Sequence, residues 1–339
     1  MKKINYKILN INNLPHSEVE IEVEIPVEEL NKQRKETLIK LSEKVEISGF
    51  RKGHIPESVL VQKIGENTVL EETADEIISN VYTQILFDKK IDAIGKPEVT
   101  IKELASGKPV IIKIKTAIIP EIKISDYKKI AKNEMSKKDE STEVSDEELE
   151  KTITTIQKSQ LKSPDEKVPE LTDEFVKKFG NFTDVADFKN KVKEMLINEK
   201  AHKNKEKKRI AVAEEIVKDS KIDLPKILID SELNKMEAEF KDNLLRMGGT
   251  MEDYLAKIKK SLEDLKKEWQ KDAEKRAKLQ LCLNKIAHDE KITVKEELIN
   301  HETEHMLEHY KEADPERVRV YITSVLTNEE VFKFLEAQK

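Results

Sequence analysis

At 339 residues the chain exceeds the size at which one hydrophobic core usually keeps growing, so two or three substructures are expected. With 37% hydrophobic, 38% charged and 5% aromatic residues, the composition is that of a protein rich in solvated helical surface rather than of a compact enzyme. The 62 basic and 68 acidic residues leave a formal net charge of -6, so no overall basic field is available to hold a nucleic-acid backbone, and any contact with RNA must be local.

The opening MKKINYKILNINN mixes Asn and Tyr among its apolar residues, so no signal-peptide core follows the two lysines. Alternation runs from Lys3 to Ile11 and from Ser17 to Ile25, most clearly as Val19, Ile21, Val23 and Ile25 against Glu18, Glu20, Glu22 and Glu24, and predicts strands with one wet face. Pro26 opens a helical pattern carrying Leu30, Leu38 and Leu41, which ends before a loop at 48–53. Pro56 starts a second helix, and Thr68 with Glu71 forms a capping box for a third that reaches about Lys89. Val99 to Leu104 and Val110 to Ile118 return to alternation. The first part, residues 1–118, is therefore an α+β domain with strands at both ends and helices between.

Residues 119–168 read as a connecting region. The run KKIAKNEMSKKDESTE is polar and without a strong period, which suits a linker or an extended wrapping segment. Ser145 and Glu148 form a capping box for a helix through about Gln160, and Lys162 to Pro169 is a polar break.

Everything in residues 169–339 reads as helix. A cap near Thr183 opens a long segment with Val185, Phe188, Val192 and Met195 on one stripe and Ile210, Ala213 and Val217 on a later one. Asn198 to Arg209 offers only Ala201 as an apolar residue, so about three turns lack a means of joining a core and suggest a projecting arm. Pro225 precedes a helix with Ile229, Leu233, Met236 and Phe240, which Gly248 and Gly249 end. Leu262, Leu265, Trp269, Ala273, Leu279, Leu283 and Ile286 mark another long helix, and Thr293 with Glu296 caps the next. Cys282, the single cysteine, excludes an internal disulfide framework and reads as a small buried residue within that long helix. One apolar stripe per helix and few aromatic residues favour an extended all-α body with helical arms over a globule. No apolar run is long enough to cross a bilayer, and a cytoplasmic protein is expected.

The segment Ser48-Gly49-Phe50-Arg51-Lys52-Gly53-His54-Ile55-Pro56 joins two helices. Two glycines permit positive φ at a tight tip, Pro56 restarts the helix, and Phe50, Arg51 and Lys52 are left presented between them. An exposed aromatic beside two cations suits a joint contact with RNA and protein, the cations meeting phosphate and the ring entering an apolar recess. A phenylalanine tucked into its own domain is the competing reading.

The string GFRKGHIP resembles the ribosome-docking signature of bacterial trigger factors, Gly-Phe-Arg-x-Gly-x-x-Pro, with every specified position matched at Gly49, Phe50, Arg51, Gly53 and Pro56. Pro169-Glu170-Leu171-Thr172-Asp173-Glu174-Phe175 resembles that family's entry into its helical carboxy-terminal domain. Ile222-Asp223-Leu224-Pro225 and Met251-Glu252-Asp253-Tyr254-Leu255 resemble its arm helices. The resemblance implies an ATP-independent chaperone that needs no cofactor. Its docking residues would be Gly49, Phe50, Arg51, Lys52, Gly53 and Pro56, set against the large ribosomal subunit at the tunnel exit. Unfolded nascent chains would lie on apolar arm residues such as Met236, Phe240, Met247 and Met251, and weak self-association would occur off the ribosome. In most of the family a peptidyl-prolyl isomerase domain precedes the Pro-Glu-Leu-Thr element. Here only Leu161 to Val168 stands in that place, too little chain to bury a proline in an aromatic pocket, so no isomerase activity is expected.

Two rival readings stay in view. His301-Glu302-Thr303-Glu304-His305 has the spacing that puts two imidazoles on one helix face for zinc, with Glu302 as base and Glu329 or Glu330 as a distant third ligand. A metzincin would need glycine and histidine where Glu308 and Lys311 stand, which leaves adventitious metal binding by His301, His305 and His309 as the milder form of that reading. Lys203 to Arg209, KNKEKKR, could meet phosphate, but no aromatic interleaves it and a solvated helix face accounts for it better.

Overall fold

A computed structural model of the chain describes residues 3–103, 105, 107–159, 161 and 168–338. Residues 162–167 of the polar break expected from Lys162 to Pro169, and Gln160, where a helix end is expected, lie outside the described residues. The chain divides into two compact units, Met1–Lys123 with Lys221–Lys278, and Ile124–Ser220 with Leu279–Lys339.

The first unit is built on an antiparallel sheet of β1 (Lys7–Leu14), β2 (Glu18–Ile25), β3 (Ala93–Glu103) and β4 (Val110–Ile118), in the order β1-β2-β4-β3. The alternation of β2 is literal: Val19, Ile21, Val23 and Ile25 are buried, as are Val110, Ile112 and Ile114 of β4. This inner face packs on Ala74, Ile77, Ile78, Val81 and Ile85 of α3 (Glu66–Lys89) and on Leu30 of α1 (Val27–Lys44). Each of these valines, isoleucines and leucines contributes about 1.5–3 kcal/mol by burial. On the outer face the glutamates of β2 meet lysines of β3 and β4. Lys113 lies 2.9 Å from Glu20, Lys115 lies 2.7 Å from Glu18, and Lys102 pairs with Glu22. α1 is stitched to α3 through Glu76, which accepts from Gln33 at 2.7 Å, Thr37 at 3.0 Å and Lys40 at 3.0 Å.

The later segment of this unit is a helical hairpin: α8 (Lys226–Arg246), the short α9 (Met251–Ile258) and the first part of α10 (Leu262–Asp289). Thr250 caps α9 by accepting the Asp253 amide, and Ser261 accepts that of Asp264 at the start of α10. Phe240, Tyr254 and Trp269 meet edge to face, with Phe240 centroid distances of 4.9 and 5.4 Å, and bind the three helices together.

The second unit contains α4 (Tyr127–Met135), α5 (Asp146–Lys158), α6 (Asp173–Val176), α7 (Val185–Asp219), the remainder of α10, α11 (Glu296–His309) and α12 (Pro315–Glu336). Ile153, Phe175, Val176, Phe188 and Val192 form one core where α5, α6 and α7 meet. Ile299, Val318 and Ile322 form another between α11 and α12.

Several expectations change. β1 starts later than Lys3, and β3 is longer than 99–104 because backbone pairing extends past a bulge between Ile94 and Glu98. α3 begins at Glu66 with Gly65 at its cap, so Thr68 and Glu71 lie inside the helix. The cap expected near Thr183 is Asp184, whereas Lys295 precedes α11 without a side-chain cap where Thr293 and Glu296 were expected to form one. The box at Ser145 and Glu148 is present with both reciprocal bonds. Within the stretch read as linker, α4 forms behind its cap Asp126 and packs on α7, burying Ala131.

The polar middle of α7 is not a free arm. Asn204, 8% exposed, donates to the Glu140 carbonyl, Lys208 donates to the Met135 carbonyl, and Lys200 donates to the Glu143 carbonyl. The segment following α4 thus lies along α7 and holds it with hydrogen bonds where apolar side chains are lacking.

Candidate functional site

The loop between α1 and α2 (Glu57–Ile64) stands on its own small core of Leu38, Leu41, Ile55, Leu60 and Val69. Ile55 is the loop's anchor into that core, while the tip is shaped by backbone bonds. The Gly53 amide donates to the Ser42 carbonyl at 2.9 Å, the Phe50 amide to Ile47 at 3.1 Å, and the His54 amide to Arg51 at 3.0 Å. Gly49 and Gly53 take φ of 87° and 80°, values that disfavour any side chain, which is why glycine stands at both. Pro56, extended, forms the cap of α2 rather than its first residue.

The tip so formed presents Phe50, 41% exposed, and beside it the exposed Arg51 and Lys52. A Phe50 ring tucked into its own core is therefore not what the loop does. The Lys52 ammonium lies 2.6 Å from the Glu46 carboxylate. Hydrogen bonding and charge from Lys52 hold Glu46 below the usual carboxylate range. Glu46 lies outside the motif by which the loop is read, and in the fold it turns back onto one of the loop's cations.

The four arm residues separate. Met247, 85% exposed, stands with exposed Leu245 at the tip where α8 ends. Met236 is half-buried, and Phe240 belongs to the aromatic cluster with Tyr254 and Trp269. Met251 is 7% exposed, so it seats the first turn of α9 and is withdrawn from the surface on which it was placed.

His301, His305 and His309 lie exposed on α11; His301 Nδ1 sits 3.2 Å from Glu302, and the rings of His305 and His309 meet edge to face at 5.2 Å. Among the described residues no three His, Cys, Asp or Glu side chains are grouped to hold a metal ion. The basic run on α7 is spoken for: Lys203 pairs with Glu199, Lys205 with Glu336, Lys207 with Glu140, Lys208 with Asp139, and Arg209 with Glu329 and Glu336. Its charge is neutralised within the fold, and a phosphate backbone would have to displace these carboxylates.

Residues 8–156 match the family described as bacterial trigger factor protein, and residues 184–338 match the carboxy-terminal domain of the same family. The chain is 24% identical to a trigger factor from Halalkalibacterium halodurans, with 84% of this chain and 86% of that one covered. It is also 24% identical to one from Halothermothrix orenii, with 91% and 92% covered. A trigger factor from Onion yellows phytoplasma is 23% identical over 89% of this chain and 92% of its own. A solved structure of a trigger factor chaperone, described by its promiscuous substrate recognition in folding and assembly, superposes with a TM-score of 0.59 at 18% identity, covering 98% of this chain and 100% of that one.

With these matches, an α+β head followed by long helices is the architecture of a ribosome-associated chaperone. The chain belongs to the bacterial trigger factor family, in a form whose two family segments are separated only by residues 157–183 and so lack the middle isomerase domain. Neither the matches nor the placement of His301 and His305 supports a metalloprotease.

Proposed function

We propose that Gly49, Phe50, Arg51, Lys52, Gly53 and Pro56 form the contact with the large ribosomal subunit at the tunnel exit. In this reading residues 1–118 are the docking domain, 119–168 the connection, and 169–339 the chaperone domain. The observation that carries it is the loop itself: a tip held by one backbone bond to α1 and two within the loop keeps Phe50 exposed beside Arg51 and Lys52. An exposed aromatic flanked by cations offers a partner an apolar anchor beside contacts to phosphate.

Nascent chains in the cytoplasm would then be shielded by apolar side chains of the arm, with Met247 foremost and Met236 and Phe240 behind it. Tethering brings such a surface to about millimolar effective concentration relative to the emerging chain, so weak, sequence-tolerant contacts suffice. Methionine adapts its shape to unlike partners. No covalent step is required, and the protein acts without enzymatic chemistry.

The test is co-sedimentation with vacant ribosomes over a salt series, comparing the chain with the variant in which Phe50, Arg51 and Lys52 are all alanine. Salt-sensitive binding by the first and none by the second is expected, with melting unchanged because all three side chains are exposed. Equal binding by both would remove the loop from the interface.

A further inference from the structure

We propose that Asp223 is a positioning residue: it latches the root of the arm hairpin α8–α9–α10 to the head, so that the apolar tip is carried in register with the docking loop. This rests on the docking reading above, but it concerns a contact to which that reading assigns no role.

β1 and β2 are joined by Pro15, His16 and Ser17, and both His16 and Ser17 lie in the left-handed region, with φ of 63° and 47°. Tight hairpin turns with positive φ usually place glycine or asparagine there. Here neither residue is one, and two adjacent left-handed residues turn their amides toward a common point, making a concave site that attracts an anion. The anion comes from the chain itself, 207 positions away: Asp223 Oδ2 accepts the His16 amide at 2.6 Å and the Ser17 amide at 3.2 Å. Ser17 Oγ donates to the Asp223 carbonyl at 2.7 Å, and His16 Nδ1 stands 3.4 Å from Asp223 Oδ1. A turn that breaks the local rule is thus completed by a distant carboxylate, the pattern expected where a contact serves placement.

Two neighbouring contacts secure the same root. Lys221 and Lys123 exchange backbone hydrogen bonds at 3.0 and 3.4 Å. Ile227, in the first turn of α8, reaches so close to Gly95 that a Cβ there would stand 2.0 Å from Ile227 Cδ1, and Gly95 itself has φ of 73°. The side chains of His16 and Asp223 are 72% and 58% exposed, so the latch is a surface contact made of polar groups and able to open without disturbing a core. α8 then rises through 21 residues, about 30 Å at 1.5 Å per residue, to exposed Met247. Over that length a 10° swing at the root moves the tip by about 5 Å, the width of a side chain. Fixing Asp223 therefore fixes where the client-facing tip lies relative to the loop on the same head.

The experiment uses the full chain with spin labels at Ser58→Cys and Lys241→Cys, both exposed positions, the native Cys282 being buried. A narrow distance distribution is expected, broadening at least twofold in Asp223→Ala and less in Asp223→Asn, which keeps one acceptor oxygen. Amide exchange in peptides spanning 14–18 and 221–228 should accelerate about tenfold together in Asp223→Ala while the β2–β4 pairing keeps its protection, and ribosome co-sedimentation should be unchanged. Unaltered distances and exchange in Asp223→Ala, and in the Asp223→Ala, Ile227→Ala double variant, would overturn the proposal. The distances are read in the free protein, so a failure of ribosome binding would sink the docking reading and leave the latch to be judged separately.

Discussion

Lys52 at the tip of the loop and Glu46 at its base form an ion pair 2.6 Å long, so one of the two cations offered by the loop is already engaged when the protein is alone. Docking on phosphate would have to part them. The Lys52 hydrogen bond and charge lower the Glu46 pKa, so the pair is intact throughout the neutral range and is lost only as pH falls through that depressed value. Replacing Glu46 with Gln frees Lys52 without altering the backbone. Ribosome affinity at low salt should rise about two- to fivefold, the scale of an exposed pair, and the gain should vanish at high salt. Equilibrium titration with labelled ribosomes checks this, and weaker binding by the variant would show that Glu46 itself makes a contact.

Gly49 has φ of 87°, and a Cβ added there would have nothing within 4 Å, so an alanine meets strain and no clash. Gly107, between β3 and β4, has φ of 75° and equally open surroundings, which makes it a matched control. Each alanine substitution should cost about 1–2 kcal/mol of local conformational strain. Gly49→Ala should lower ribosome affinity about tenfold as the loop relaxes into another shape, whereas Gly107→Ala should leave affinity unchanged. Parallel titrations of the two variants settle whether loop shape, rather than strain as such, carries binding.

What the sequence made legible follows from which forces leave a periodic trace. The inward residues of β2 alternate strictly because one face meets α3 and the other meets water, and all four are buried as read. The turn at 48–56 is legible because glycine at positive φ and a proline at a helix entry are local requirements. By contrast α4 buries only Ala131 among its nine residues, so no apolar stripe announces it. The middle of α7 looks unattached in the sequence because its partners are carbonyls and carboxylates of residues 135–143 and of α12, and hydrogen bonds carry no period. Asp223 was visible only as part of a resemblance; that it completes a turn at His16 and Ser17 depends on tertiary placement.

Arg209 of α7 tests the polar attachment directly. Its guanidinium reaches Glu329 through two bonds, at 2.8 and 2.9 Å, pairs with Glu336, and lies over the Phe332 ring at 5.5 Å. The arginine holds Glu329 below its usual value, so in the native protein this contribution is present above the ordinary carboxylate range and is lost as pH falls through the depressed value. Arg209→Ala leaves Glu336 with Lys205 and takes from Glu329 its hydrogen-bonded cation, a loss felt at neutral pH, where both carboxylates are charged, and relieved in acid. The variant should be less stable by about 1–3 kcal/mol at pH 7, discounted from a fully buried pair because Glu329 is partly exposed, with the gap closing towards pH 4. Denaturant unfolding followed by circular dichroism at both pH values measures it.

Met247 and Met251 are four residues apart and chemically identical, yet one is 85% exposed and the other 7%. They flank Gly248, Gly249 and the cap Thr250, where α8 stops and α9 begins, and that break turns one side chain outward and the other inward. Met247→Ser should leave thermal stability within experimental error, because no packed contact is lost, while reducing suppression of aggregation of an unfolded client. Met251→Ala should instead cost about 2–4 kcal/mol through loss of burial and the cavity left behind, and any loss of shielding should follow from loosening α9 rather than from removal of client surface. Melting curves and aggregation assays on the two variants separate these roles. If Met247→Ser shields clients as well as the parent chain does, the tip is not where clients bind, and the apolar surface that shields them must be sought elsewhere.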